Sequence, residues 1–125
     1  MKTKTYFYIA APNGLDIENF CNVLNIPFDK IKSNYSEKLG YSFKLGYNEN
    51  FNVDLNEMVR ATLKPLFGKE ELLVELKEKY GLEYFLSRVV YFTVNGVNPI
   101  ISLDNDIIAF MHLTGAVDDL DYYIE

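Results

Sequence analysis

The sequence predicts an α+β two-layer sandwich, a mixed four-stranded sheet with helices on one face, and three observations lead there. Strand-like and helix-like segments alternate in the order β-α-β-α-β-α-β. The segment LEYFLSRVVYFTV, residues 82–94, is apolar on both of its faces, as an interior strand of a covered sheet is. The last segment, AVDDLDYYI, alternates instead of running apolar, so one of its faces meets water.

The elements follow in order. KTYFYIA, residues 4–10, is aromatic and β-rich and stops at Pro12-Asn13-Gly14, a turn-forming triplet. Asp16 is placed as an N-cap for a short amphipathic helix in which Ile17, Phe20, Cys21 and Leu24 recur at helical spacing. Residues 25–40 show no sustained period, contain Pro27 and Gly40, and read as a loop. In YSFKLGY, residues 41–47, alternation puts Tyr41, Phe43, Leu45 and Tyr47 on a packed face and Ser42, Lys44 and Gly46 opposite.

Asp54 and Glu57 have capping-box spacing, and Leu55, Met58, Val59, Thr62, Leu63 and Leu66 form one stripe until Pro65 and Gly68 interrupt the helix. The helix resumes through EELLVELKEKYG, with Leu72, Leu76 and Tyr80 along one side and Gly81 as its left-handed stop. After the third strand, Ser102 or Asp104 caps a helix whose apolar arc holds Leu103, Ile107, Ile108, Phe110 and Met111, and Gly115 closes it. The final strand ends the chain.

A length of 125 residues supports one domain, residues 1–125, and 49% hydrophobic residues with 10 Tyr and 9 Phe fill its core without cross-links. One cysteine, Cys21, cannot close an internal disulfide, and it sits in a helical apolar stripe as a small buried hydrophobe. No apolar run reaches the roughly 20 residues of a membrane span, and the MKTKTYFYIAAP opening is too short and tyrosine-rich for a secretory signal. A soluble cytoplasmic protein is the expectation.

The net charge of −6 is uneven. The first 88 residues balance, whereas Asp104, Asp106, Asp118, Asp119, Asp121 and Glu125 follow Arg88 with no lysine or arginine among them. Such a segment repels phosphate backbones and anionic membranes, so neither nucleic acid nor membrane is an expected partner, and it attracts a basic protein. The Lys30, Lys32, Lys38 and Lys44 series interleaves with aromatics, but Asp29 and Glu37 dilute it.

Period two in the last strand sets Asp118, Leu120, Tyr122 and Ile124 on the face packed under the helices, and Asp119, Asp121, Tyr123 and Glu125 on the helix-free face. Tyr6, Tyr8, Lys44 and Tyr91 join that second group if they point the same way. These acids on a flat strand supply too few oxygens for calcium, so no metal site is expected, nor any cofactor. The lone histidine, His112, is expected at the surface, and no phosphate loop, paired-cysteine spacing or nucleophile elbow occurs. No catalytic residue is assigned.

From the third strand onward, VVYFTVNGVNPIISLDNDIIAFMHLTGAVDDLDYYIE places Ser102 and Leu103 at a helix start, Gly115 and Ala116 at a turn, and Asp119, Asp121 and Tyr123 in an Asp-x-Asp-x-Tyr strand. This arrangement resembles the bacterial domain-of-unknown-function family numbered 4279, and the first strand with its short Leu-Asp helix fits as well. Tyr41-Ser42-Phe43 stands where that family carries a tryptophan-containing strand. The resemblance implies no chemistry. By size and distribution it suggests a protein that neutralises a toxin.

The expected function is therefore a non-catalytic interaction module, in its specific form an immunity protein, that meets a basic partner such as a toxin through Asp119, Asp121, Tyr123, Glu125, Tyr6, Tyr8 and Tyr91. A small-molecule-binding domain or an enzyme using the same tyrosines and carboxylates is the alternative.

Overall fold

The computed structural model describes residues 2–27, 32–36, 40–51 and 54–124. The elements are β1 (Thr3–Ala11), α1 (Ile17–Leu24), β2 (Lys32–Ser36), β3 (Gly40–Asn50), α2 (Leu55–Leu63) with a 3-10 turn at Lys64–Leu66, α3 (Glu70–Tyr80), β4 (Glu83–Phe92), α4 (Asn105–Thr114) and β5 (Val117–Ile124). The expected order and two-layer α+β architecture hold, and β2, a short strand inside the segment that reads as a loop, adds a fifth strand at one edge of the mixed sheet. Strand order is β2-β3-β1-β4-β5, antiparallel throughout except for the parallel β4–β5 pair. β4 thus lies inside the sheet, as its two apolar faces require.

Alternation sorts each strand. On β1, Thr3, Thr5, Phe7, Ile9 and Ala11 are buried, while Lys4, Tyr6 and Tyr8 on the other face are only partly so. Tyr84, Leu86, Arg88 and Val90 continue the buried face onto β4. There Phe7 packs on Tyr84 with ring centroids 5.3 Å apart and on Phe110 of α4 at 6.0 Å. The Tyr84 hydroxyl donates to the Leu73 carbonyl at 2.7 Å, and burial drives its pKa far above the ordinary phenol range.

Helix boundaries follow local chemistry. Asp16 and Asp54 cap α1 and α2 by accepting from the Asn19 and Glu57 amides, each at 3.1 Å. Asp104, at the N-cap of α4, makes no such bond because its carboxylate pairs with Arg60 of α2, which also grips Asp106 at 2.9 Å. Every apolar stripe residue expected in α2 is buried, and Cys21 is buried in α1. On α3 the helix is rotated so that Leu73 and Leu76 lie deepest, with Leu72 and Tyr80 half-buried beside them. On α4, Ile108 points outward at 49% exposure and Thr114 turns inward instead.

Two features depart from simple alternation. In β3, register with β1 shifts between Thr5 and Phe7, and Gly46 occupies the bulge at φ +61°. The extra residue turns Tyr47 onto the open face, away from Phe43 and Leu45, with which the period of two grouped it. Tyr41's side chain lies outside the described residues. The Thr62 hydroxyl donates to the Gly46 carbonyl at 2.8 Å, so the bulge is tied to α2. At the far end of β5, Tyr122 and Ile124 face the helix layer yet are 61% and 72% exposed, where the sequence placed them under helices. Of the β5 residues only Leu120 is partly buried, so the helix layer leaves the end of this edge strand uncovered.

Two outcomes test this architecture. At Gly46 a Cβ would collide with the Thr62 carbonyl in addition to the strain of positive φ, whereas at Gly68 (φ +85°) it would meet nothing. Gly46→Ala is expected to cost about 2–3 kcal/mol in urea unfolding and Gly68→Ala about 1 kcal/mol. Asp118→Ala strands the Arg88 guanidinium, whose side chain is 3% exposed. The expected loss is about 2 kcal/mol, below the 3–5 of a fully buried pair because the Asp118 side chain is 37% exposed. Asp119→Ala should stay within about 0.5 kcal/mol of the native protein in the same measurement.

Candidate functional site

The parallel register of β4 and β5 decides where the terminal acids point. Leu86 lies opposite Asp118, Ser87 opposite Asp119, Val89 opposite Asp121 and Tyr91 opposite Tyr123. Asp118 therefore shares the helix-side face with Arg88, whose Nε and an Nη donate to its two carboxylate oxygens at 3.0 and 2.6 Å. Asp119, Asp121 and Tyr123 emerge on the opposite, uncovered face.

The same face collects Tyr6 and Tyr8 from β1 and Tyr91 from β4. Six of the seven residues expected to form the site thus lie on one surface, and the seventh, Glu125, lies outside the described residues. They are not one contiguous cluster. Tyr91 stacks on Tyr123 at 5.4 Å between centroids, while Tyr6 stacks on Tyr47 at 5.8 Å and Tyr8 tilts against Phe85 at 5.8 Å.

Electrostatics divide this surface in two. Toward β3, charges answer each other. Glu49 accepts from the Tyr47 hydroxyl at 2.7 Å and pairs with Lys2 at 2.7 Å, and Lys44 sits 4.4 Å from the Tyr6 ring centroid. The bonds from Lys2 and Tyr47 hold the Glu49 carboxyl down to about 2, and the same bond pushes the Tyr47 phenol up to about 12.

Toward β5, charges go unanswered. Among the described residues neither Asp119 nor Asp121 forms an ion pair. Partial burial, and then the negative charges of Asp121 and Asp118, raise the Asp119 carboxyl above the ordinary carboxylate range. The Tyr6 phenol is raised as well, chiefly by burial, with Asp119 and Asp121 adding to it and the Ser87 hydroxyl pulling the other way.

Between these halves lies a hollow of about 310 Å³ lined by Tyr6, Tyr8, Ala10, Glu83, Phe85, Ser87 and Asp119. Ala10 and Ser87, 3% and 4% exposed, form its floor, because small side chains on β1 and β4 leave space between the aromatic rings. Sequence reasoning did not single out Glu83, Phe85 or Ser87. The signal for them is the alternation of β4 itself, which its apolar content on both faces conceals.

A family model described as Domain of unknown function (DUF4279) matches residues 3–125. The chain belongs to this family. No curated protein and no solved structure gives a significant match. The match spans every strand of the DUF4279 sheet, including the Asp119 and Asp121 strand that carries the resemblance.

The remaining chemistry of this DUF4279 chain is sparse. His112 is exposed, as its sequence position predicts, and lines a shallow depression between α3 and α4 with Lys77 and Glu78. Among the described residues no three His, Cys, Asp or Glu side chains stand close enough to hold a metal ion, and no helix is long and apolar enough to cross a membrane. Burial pushes the Cys21 thiol up to about 11, which keeps it protonated at neutral pH.

The raised Asp119 carboxyl has a direct readout. A raised folded-state value means that the folded protein holds the proton more tightly than the unfolded chain. This residue's contribution to stability therefore falls as pH rises from 3.8 through its raised midpoint. Carbon-detected NMR titration should place the Asp119 midpoint above 3.8, and Asp121→Asn should bring it partway down, burial being the larger cause.

Proposed function

We propose that this protein is a non-catalytic interaction module that docks a basic protein on the open face of its sheet. The observation that carries the reading is the pair Asp119 and Asp121, side by side on an uncovered strand face and in no ion pair among the described residues, next to the Tyr91–Tyr123 stack. Aromatic rings supply contact area at low entropic cost, and unanswered carboxylates supply the long-range attraction that speeds encounter with a positive surface. Arg88 neutralises Asp118, and Asp104 and Asp106 share the charge of Arg60 with Glu57, so the unpaired acids of β5's open face are Asp119 and Asp121.

A bacterial, cytoplasmic immunity protein that neutralises a basic toxin is the specific form of this function. Its partner's positive surface, built to hold nucleic acid, would meet the β5 half of the face in place of phosphate. A second reading, a small-molecule-binding domain, is favoured by the hollow alone.

The deciding measurement is calorimetric titration of the protein with purified basic nuclease domains, those of any neighbouring toxin gene first, at about 0.05 M and about 0.5 M salt. Raising the salt should weaken binding by at least about tenfold, and so should Asp119→Asn combined with Asp121→Asn. Binding that ignores both the salt and the two substitutions rules the acidic-face reading out.

A further inference from the structure

We propose that the hollow between β1, β4 and β5 is a receptor for an elongated alkylamine or guanidino group, its cationic head against Asp119 and its stem along Tyr8 and Phe85. The inference rests on reading the open face as a binding surface, and it adds a defined site and a ligand chemistry that charge alone does not specify.

Shape comes first. Ala10 and Ser87 are nearly fully buried and small, and the register sets the Tyr8–Phe85 pair in the row between them with Tyr6 beside Ser87, so the hollow is an open trough bordered by aromatic rings. Its long axis follows the strands. Glu83 and Ser87 are four residues apart on β4, about 13 Å along the strand, and Asp119 lies opposite Ser87. The trough therefore has a carboxylate toward each end and aromatic surface between them.

Charge and polarity then select the occupant. The carboxylates of Glu83 and Asp119 disfavour an anion, and the rings of Tyr8 and Phe85 offer apolar surface to methylene groups and a quadrupole to a cation. No lysine or arginine lines the trough. Lys44 is held over the Tyr6 and Tyr47 rings, at 4.4 and 5.9 Å from their centroids, and is not among the lining residues. The raised Asp119 carboxyl agrees with this, because a cation beside it would favour the charged form that burial and Asp121 now oppose. Such a group belongs either to a free diamine or to a lysine or arginine side chain of a docked protein.

The test is an amide-detected NMR titration of the full chain at low salt with cadaverine, agmatine and spermidine, and with the uncharged diol of cadaverine's length as control. The expected result is saturable shifts confined to Tyr6, Tyr8, Phe85, Ser87 and Asp119, with the diol inert. Asp119→Asn and Tyr8→Leu, each verified as folded by its thermal transition, should each weaken binding by about tenfold or more. Asp121→Asn, outside the lining, should weaken it less.

Micromolar affinity for a diamine identifies a free amine as the source. Affinity on the order of 1 mM, together with a docked basic protein that shifts the same residues, assigns the group to that protein's lysine or arginine. Shifts that follow every exposed carboxylate without saturating, equal binding of the diol, or unchanged affinity in Asp119→Asn would each overturn the assignment. The two readings separate cleanly. Amine binding without docking of a basic protein removes only the docking reading, and docking without amine binding removes only this one.

Discussion

Arg88 is a cation on the helix-side face of an interior strand, 2% exposed, in a place where an unpaired charge would cost several kcal/mol. The fold accommodates it with the two oxygens of Asp118 and the Ile101 carbonyl, the last at 2.6 Å. That arrangement does more than neutralise a charge. It draws β5 alongside β4 with Asp118 turned inward, and it holds the connection before α4 against the sheet. Because side chains alternate strictly along a strand, an inward Asp118 forces Asp119, Asp121 and Tyr123 outward. A slip of one residue would turn Asp119 and Asp121 to the helix side and take Asp118 away from Arg88. The chemistry of the open face is thus a consequence of one ion pair on the hidden face.

The other edge of the same surface depends on a glycine. Gly46 lets β3 carry an extra residue, and the bulge brings Tyr47 beside Tyr6 and Glu49 within reach of Lys2. Without it, Tyr47 would stay with Phe43 and Leu45 in the core. The β3 half therefore neutralises its own charges, whereas the β5 half retains Asp119 and Asp121 unpaired among the described residues. This asymmetry leaves the face negative toward β5 and charge-balanced toward β3.

Legibility in the sequence varied with the kind of signal. Helical stripes such as Leu55, Met58, Val59 and Thr62, caps such as Asp16 and Asp54, and the glycine stop at Gly81 are local, and all of them appear in the structure. The facing of the terminal acids was equally readable, since it needs only a period of two and one buried neighbour. Tyr47 was misplaced because a bulge depends on the partner strand and on Thr62, 16 residues from Gly46. Tyr122 and Ile124 were misplaced because coverage depends on how far the helix layer reaches over the sheet edge, which alternation does not encode.

The chain by itself determined the α+β class, the order of its main elements and the alternation that separates Asp118 from Asp119 and Asp121, because each follows from spacing along one segment. Only the tertiary structure decided that Glu83, Phe85 and Ser87 join Tyr6, Tyr8 and Asp119 around one hollow, and that Lys44 turns toward Tyr6 and Tyr47. Those are relations between strands. Register across a sheet is set by long-range pairing, by a bulge and by a buried ion pair, and no single stretch of sequence contains all three.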